Sequence, residues 1–256
     1  MYRHIFGPVN SRRLGRSLGV DLTPGKVCCF NCAFCQAGET ADLTLQRKDY
    51  VSVDEVLDEL CRWFKSGGTA DYVTLSGSGE PALHLHFGRV LRFVRETSSI
   101  RTALLSNGSL FQFEEVRSDA LNADVVKVSL SAWDQESFEA VNRPHSGLRF
   151  SEVVRGMESF RAIYGGEYWL EIVFIEGVND SPAAVEKISG LARTIAPDRI
   201  HLNTVTRSPA VKSVRGVSPD VLRQFSGYFS PAGEPVVGDG LSGTETGEFV
   251  GVRPLK

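Results

Sequence analysis

Nothing in these 256 residues approaches the run of about 18 apolar side chains that a membrane-crossing helix needs, so no span through a bilayer is expected. The N-terminal stretch MYRHIFGPVNSRRLG has no apolar h-region, so no secretory leader is expected and the cytoplasm is the expected location. A general excess of basic charge is missing as well. The net charge is −3, which gives no broad footprint for nucleic acid, although Arg12, Arg13 and Arg16 lie close together. Internal repeats and low-complexity segments are also absent, which argues against a repeat array or a long disordered tract.

What is present fits one large domain. The chain is 42% hydrophobic and 23% charged, enough to bury a sizeable core and stay soluble. Short apolar runs at 17–22, 72–77, 102–107, 125–131, 168–175 and 199–205 are rich in Val, Leu and Ile, as strands covered on both faces are. Helical periodicity falls between them. Ser52, with Glu55 three residues on, gives a capping-box pattern, and Val56, Leu57, Leu60, Trp63 and Phe64 then recur at helical spacing until Gly67 and Gly68. Further helices are expected near 86–97, 112–121, 134–141, 151–164, 182–195 and 218–228. Strands alternating with helices imply right-handed βαβ units, a parallel sheet, and ligands gathered at the C-terminal strand ends. Periodicity alone does not separate an open sheet from a partial barrel. The Gly-rich tail from Gly238 reads as a loop or lid with a short terminal strand.

Five cysteines are present, and four of them, Cys28, Cys29, Cys32 and Cys35, fall within eight residues. Such density suits metal or cluster binding in a reducing compartment better than a disulfide framework. Two triads are possible. Cys28, Cys32 and Cys35 make C-x3-C-x2-C, whereas Cys29, Cys32 and Cys35 begin like a bacterial ferredoxin run, whose fourth ligand position is occupied here by Glu39. A zinc site would want a further ligand near by, and His4, His84, His86, His145 and His201 are scattered. Three thiolates on a cubane leave one iron without a protein ligand, an opening that a substrate or cofactor can fill. Cys61 sits among apolar residues of a helix and is expected in the core.

The C-x3-C-x2-C loop with Phe34 before its last cysteine resembles the signature of radical S-adenosylmethionine (SAM) enzymes. The resemblance implies a 4Fe–4S cluster on Cys28, Cys32 and Cys35, SAM chelating the open iron, and a 5′-deoxyadenosyl radical that takes hydrogen from substrate. Phe34 would then pack near the adenine, and Cys29 would be a non-ligand. Further along, Ser76-Gly77-Ser78-Gly79-Glu80-Pro81 falls where that superfamily carries its Gly-Gly-Glu element, which implies that Gly77, Gly79 and Glu80 bind the SAM amino group. Asn107, in Ser106-Asn107-Gly108, would bond SAM or substrate. Alternation along 126–132 puts Lys127, Ser129 and Ser131 on one face. Ser129 resembles the ribose- or carboxylate-binding serine of the family, and Arg143 would meet the SAM carboxylate as a fork-shaped donor. The segments 174–180, with Val178, and 201–205 resemble the elements that line adenine, and Glu171 points inward if the strand register holds.

A narrower resemblance runs from about residue 6 to 210. Gly7-Pro8-Val9-Asn10-Ser11-Arg12-Arg13-Leu14-Gly15, Lys26 before the cysteines, and the Gly-Ser-Gly-Glu-Pro turn look like the group related to wyosine (imidazoguanine-forming tRNA) synthetase, and most like its small bacterial members of unassigned substrate. Wyosine synthetases carry further cysteines for a second cluster, whereas this chain has none before Cys28 and only Cys61 after the loop. The expected architecture is a (β/α)6-type partial TIM barrel: an N-terminal extension over 1–16, a radical SAM core over 17–210, and a C-terminal helix and lid over 211–256. An electron donor of flavodoxin or ferredoxin type is the implied partner. Arg12, Arg13 and Lys127 are candidates for an anionic substrate group, with the arginines expected near the barrel mouth. The alternatives are a wyosine synthetase-like tRNA-modifying enzyme, an electron-transfer iron–sulfur protein and an RNA-binding module. An electron-transfer protein would want four cysteine ligands, and an RNA module a basic stripe with interleaved aromatics.

Overall fold

The computed structural model describes residues 2–230 and 233–235. In chain order it contains β1 (Ile5–Ser11), β2 (Gly15–Val20), the short strands β3 (Val27–Cys28) and β4 (Asp42–Leu43), α1 (Val53–Lys65), β5 (Tyr72–Leu75), α2 (Phe87–Thr97) and β6 (Arg101–Leu105). There follow α3 (Glu114–Ala120), β7 (Val125–Ser129), α4 (Gln135–Asn142), α5 (Phe150–Arg161), β8 (Glu167–Phe174), α6 (Pro182–Ile195), β9 (Arg199–Thr204), α7 (Pro219–Ser226) and β10 (Glu234–Pro235). Eight of the strands form one sheet in the order β1-β2-β5-β6-β7-β8-β9-β10, parallel from β2 onward, with β1 not bonded back to β10. This is an open α/β partial barrel.

All six strands expected from the apolar runs are present as β2 and β5 to β9. Residues 5–11, read in the sequence as part of an extension, instead pair antiparallel with β2. Their alternation is broken by a register irregularity between Phe6 and Val9, which hides the strand from a periodicity search. The segment from Gly238 lies outside the described residues.

The helices form for local reasons. Ser52 caps α1 by accepting from the Glu55 amide at 3.4 Å, and Gly67, at φ +79°, follows its end. The expected capping box closes on one side only, because the Glu55 carboxylate turns to His4, 3.3 Å away. α6 starts with Ser181 accepting from the Ala184 amide and Pro182 in the first turn.

Alternation divides the strand side chains into two sets. Leu104, Val126, Val128, Leu170 and Ile172 point outward under the helices and are wholly buried there. Ala103, Val125 and Trp169 point inward with Leu14 from the β1–β2 turn, and Tyr72 and Leu105 pack on them. This small cluster fills the N-terminal half of the barrel, leaving the C-terminal half for polar groups. Each large aliphatic or aromatic side chain buried in this way stabilises the fold by about 1.5–3 kcal/mol.

Candidate active site

The cysteines lie on the loop that leaves the C-terminal end of β2. Asp21, the first residue past the strand, holds that loop and the turn after β5 together. Its Oδ1 accepts from the Thr23 amide and hydroxyl at 3.1 and 3.0 Å, and its Oδ2 accepts from the Ser78 amide and hydroxyl at 2.9 and 2.6 Å. The Glu80 amide donates to the Val27 carbonyl at 2.9 Å, next to Cys28. This close approach is what requires glycine. A Cβ on Gly79 would stand 1.9 Å from the Val27 carbonyl oxygen, and Gly77, at φ +145°, faces the Asp21 carboxylate. The Gly-Ser-Gly-Glu-Pro turn therefore packs directly onto the strand that delivers Cys28.

The helix-end carbonyls of α4 hold the other side of the loop. The Asn31 amide donates to the Asn142 and Arg143 carbonyls at 3.1 and 3.0 Å, and the Ala33 amide to the Val141 carbonyl at 3.0 Å. The last carbonyls of a helix have no partner within it, and here the cysteine loop supplies the donors. Ala210 and Val211 close the loop from the far side by donating to the Cys35 and Ala33 carbonyls.

Within this frame, each member of the Cys28, Cys32, Cys35 triad meets a nitrogen donor. Asn107 Nδ2 lies 3.4 Å from Cys28 Sγ, Asn142 Nδ2 lies 3.4 Å from Cys32 Sγ, and Lys26 Nζ lies 2.5 Å from Cys35 Sγ. Burial pushes the Cys28 thiol up to about 11 and the Cys32 thiol up to about 12. Cys29 is wholly buried and is also raised, first by burial and then by the neighbouring Glu80 charge. Without a metal the Cys28 and Cys32 thiols keep their protons, so loading them releases protons. Among the described residues no three His, Cys, Asp or Glu side chains converge on one point as a single ion would need. A cubane asks for a different donor set, one thiolate on each of separate iron corners with hydrogen bonds to sulfur, and the triad offers that.

The other expected site residues fall as follows. Glu80 is 2% exposed, and its carboxylate accepts from the Ala82 amide, the Ser106 hydroxyl and the Asn107 amide at 3.0, 2.7 and 2.7 Å. It ties the ends of β5 and β6 together, where the sequence placed it at the SAM amino group. Burial raises its pKa, and the Asn107, Ser106 and Ala82 donors oppose that rise. Asn107 forms an Asx turn through Ser109 as well as touching Cys28. Ser129 is half-buried at the end of β7, Phe34 is half-buried on the loop, and Arg143 is exposed at φ 46° just past α4. Val178 is exposed in the turn after β8, which Asn179 pins by donating to the Ser131 and Val173 carbonyls. A cavity of ≈ 10 Å³, room for about one water, lies between Phe30, Ser129, Phe138, Asn142 and Met157.

Below this face, inside the barrel, Glu171 binds Arg13 and lies 2.7 Å from Lys127 Nζ and 3.4 Å from Asn203 Nδ2. Burial would raise the Glu171 carboxyl, but Lys127 and Arg13 outweigh it and hold the group well below the usual carboxylate range. His201 neighbours Glu171 in the β8–β9 register, and its Nδ1 is buried without a hydrogen-bond partner. Burial, then the Arg13 charge, lowers its pKa to about 4.

Two expectations need correction. The arginines do not cluster at the mouth: because β1 pairs antiparallel with β2, their turn falls at the N-terminal strand ends, opposite the cysteine loop. Arg12 is exposed, Arg16 binds Thr69, and Arg13 alone reaches inward, to Glu171. Cys61 is partly exposed on α1, on a cleft of ≈ 480 Å³ with Arg3, Glu55 and Asp58 that shares no residue with the site. Sequence reasoning gave Asp21, Asn142 and Lys26 no role. A lone carboxylate inside the apolar run 17–22 is a signal for Asp21, whereas nothing local marks Asn142, whose function depends on where α4 ends.

A thiol triad on a loop at the C-terminal strand ends of a parallel partial barrel, locked to a glycine turn, defines a class: enzymes that work with a loop-held iron–sulfur group. The chain belongs to the Radical SAM superfamily, whose family model matches residues 22–187. It is 30% identical over 227 residues to a UPF0026 protein of Methanocaldococcus jannaschii, covering 88% of this chain and 70% of that protein. It is 35% identical over 227 residues to a protein of Brachyspira hyodysenteriae named GTPase Obg, covering 89% of this chain but only 33% of that protein's length. The fold is similar to that of TYW1 with a lysine-pyruvate adduct bound, with a TM-score of 0.62 and 16% identity over 83% of this chain and 72% of that one. The protein is therefore an enzyme of this superfamily, whose members bind SAM and a 4Fe–4S cluster.

Proposed function

We propose that this enzyme cleaves SAM reductively and directs the resulting 5′-deoxyadenosyl radical at a C–H bond of a substrate that carries an anionic group. The observation that carries this reading is the triad itself: Cys28, Cys32 and Cys35, each against a nitrogen donor, beside a turn whose glycines allow backbone contact with β3. When bound on these thiolates, the cluster and SAM supply the electron and the carbon radical. The chain's own residues do the rest. The Gly77–Pro81 turn offers backbone oxygens to an ammonium group, helped by the lone-pair site left on Glu80 Oε2. Ser129 and Asn107, at the strand ends, and Arg143, just past α4, would bond the ribose and carboxylate, and Phe34 and Val178 would flank the adenine. Lys127 and Arg13 are the cations that meet Glu171 inside the barrel, Glu80 also feels the Lys127 charge, and an anionic substrate group would compete with these carboxylates for them. Electrons come from a donor of flavodoxin or ferredoxin type, in a reducing cytoplasm that keeps the thiols available. A wyosine-type activity with a second cluster draws no support from the cysteines, since only Cys61 lies outside the loop.

The test is anaerobic reconstitution followed by reductant and SAM. About four irons per chain with slow formation of 5′-deoxyadenosine and methionine is the expected result. About eight irons per chain would establish a second cluster, and a loaded protein that leaves SAM intact would overturn the reading.

A further inference from the structure

Lys26 is a part-buried cation that has no carboxylate within 4.0 Å among the described residues. A cation taken partly out of water needs a compensating negative group. Here the neighbour is sulfur: Nζ stands 2.5 Å from Cys35 Sγ, and the ammonium also feels Cys28 and Cys32. The backbone fixes this aim from both sides. The Lys26 carbonyl accepts from the Ala41 and Asp42 amides at 3.1 and 3.3 Å, and the next residue enters the β3–β4 ladder. A flexible surface lysine would not be bracketed in this way.

Three thiolates around a cubane leave the assembly anionic, and taking up an electron makes it more so. A cation beside one ligand sulfur stabilises the reduced form more than the oxidised one, because the attraction grows with the charge it faces. Net charge and donors to sulfur are among the levers that set cluster potential. From this geometry we infer that Lys26 is a positioning residue that sets the reduction potential of the bound cluster, raising it so that the donor can reduce it. The inference rests on the reading of the triad as the cluster site, and it adds a role that acts through Cys35.

The test is a redox titration of the anaerobically reconstituted protein by EPR, with and without SAM, on wild type, Lys26→Met, Lys26→Gln and Lys26→Arg. Iron content and the wild-type EPR signal report on the cluster reading, and the shift between variants reports on Lys26, so the two fail separately. In Lys26→Met and Lys26→Gln the ratio of reduced to oxidised cluster at a fixed potential should fall about tenfold, a lowering of about 59 mV for a one-electron couple. Lys26→Arg, which keeps the charge, should stay within about threefold of wild type, a difference under ~0.7 kcal/mol. An unchanged potential in the neutral variants overturns the inference. So does a shift seen only with SAM present, which would make Lys26 a contact of SAM. If Lys26→Met fails to assemble a cluster, the Gln and Arg variants decide: equal potentials overturn the inference, and a lowered Gln beside a wild-type-like Arg upholds it.

Discussion

The two ends of the barrel are built from different materials. At the N-terminal strand ends the interior is closed by side chains: Leu14, Ala103, Val125 and Trp169 pack together, and Arg13 reaches from the hairpin turn to Glu171. At the C-terminal ends the structure is made of backbone: glycines laid against a neighbouring strand, helix-end carbonyls accepting loop amides, and an aspartate bridging two loops. A floor made of packed side chains resists deformation by excluding water. A loop tied by directional hydrogen bonds can instead hold thiols at fixed points with one side open. The comparison teaches that the cysteine end is held by directional bonds, as the proposed function requires of a loop that receives a group, and that the other end keeps the barrel shut.

The floor should show the larger stability effect when broken. Glu171→Leu leaves Arg13 and Lys127 without their shared carboxylate and should cost about 3 kcal/mol in urea unfolding, as removal of one partner from a largely buried ion group does. Adding Lys127→Met should recover part of that loss. If Glu171→Leu unfolds at the wild-type urea concentration, the ion group contributes nothing to closing the floor. At the other end, Gly79→Ala should cost about 1–3 kcal/mol through the clash with the Val27 carbonyl, and it should lower iron retention by displacing β3. A Gly79→Ala protein that holds iron as well as wild type would contradict the packing role assigned to the turn.

Acid sharpens the same comparison. His201 has its pKa lowered to about 4, so the folded state prefers the neutral ring and binds fewer protons than the unfolded chain. Stability from this group is full above the unfolded value of 6.5 and is lost as pH falls toward 4. Glu171, held well below the usual carboxylate range, adds a further loss below that window, as its carboxylate takes up a proton. The midpoint of thermal unfolding should fall between pH 6.5 and 4, by an amount that corresponds to ~2 kcal/mol. His201→Phe should flatten that window and leave the loss at lower pH in place. An unaltered pH profile in His201→Phe would remove the histidine from the account.

How much of this the sequence carried depends on whether each feature is local. α6 was legible almost to the residue because Ser181 and Pro182 write its start and an apolar face runs to Ile195. The cysteine spacing and the glycine turn were legible because both are short motifs. β1 was not, since its alternation breaks between Phe6 and Val9, and with it went the position of the arginines. The tie that Glu80 makes to β6 and the contact that Asn142 makes to Cys32 were missed for a common reason. The partners lie 26 and 110 residues away, at Ser106 and Cys32, and only the closed fold brings them together.

The central claim is that Cys28, with Cys32 and Cys35, holds the iron, while its neighbour Cys29 is core. Iron content and 5′-deoxyadenosine formation should be measured side by side on Cys28→Ala and Cys29→Ala, each reconstituted without oxygen. The account predicts that Cys28→Ala loses SAM cleavage altogether, and that Cys29→Ala keeps it at a modest stability cost of about 1 kcal/mol. An active Cys28→Ala beside an inactive Cys29→Ala would contradict the ligand assignment, and with it the chemistry built on this loop.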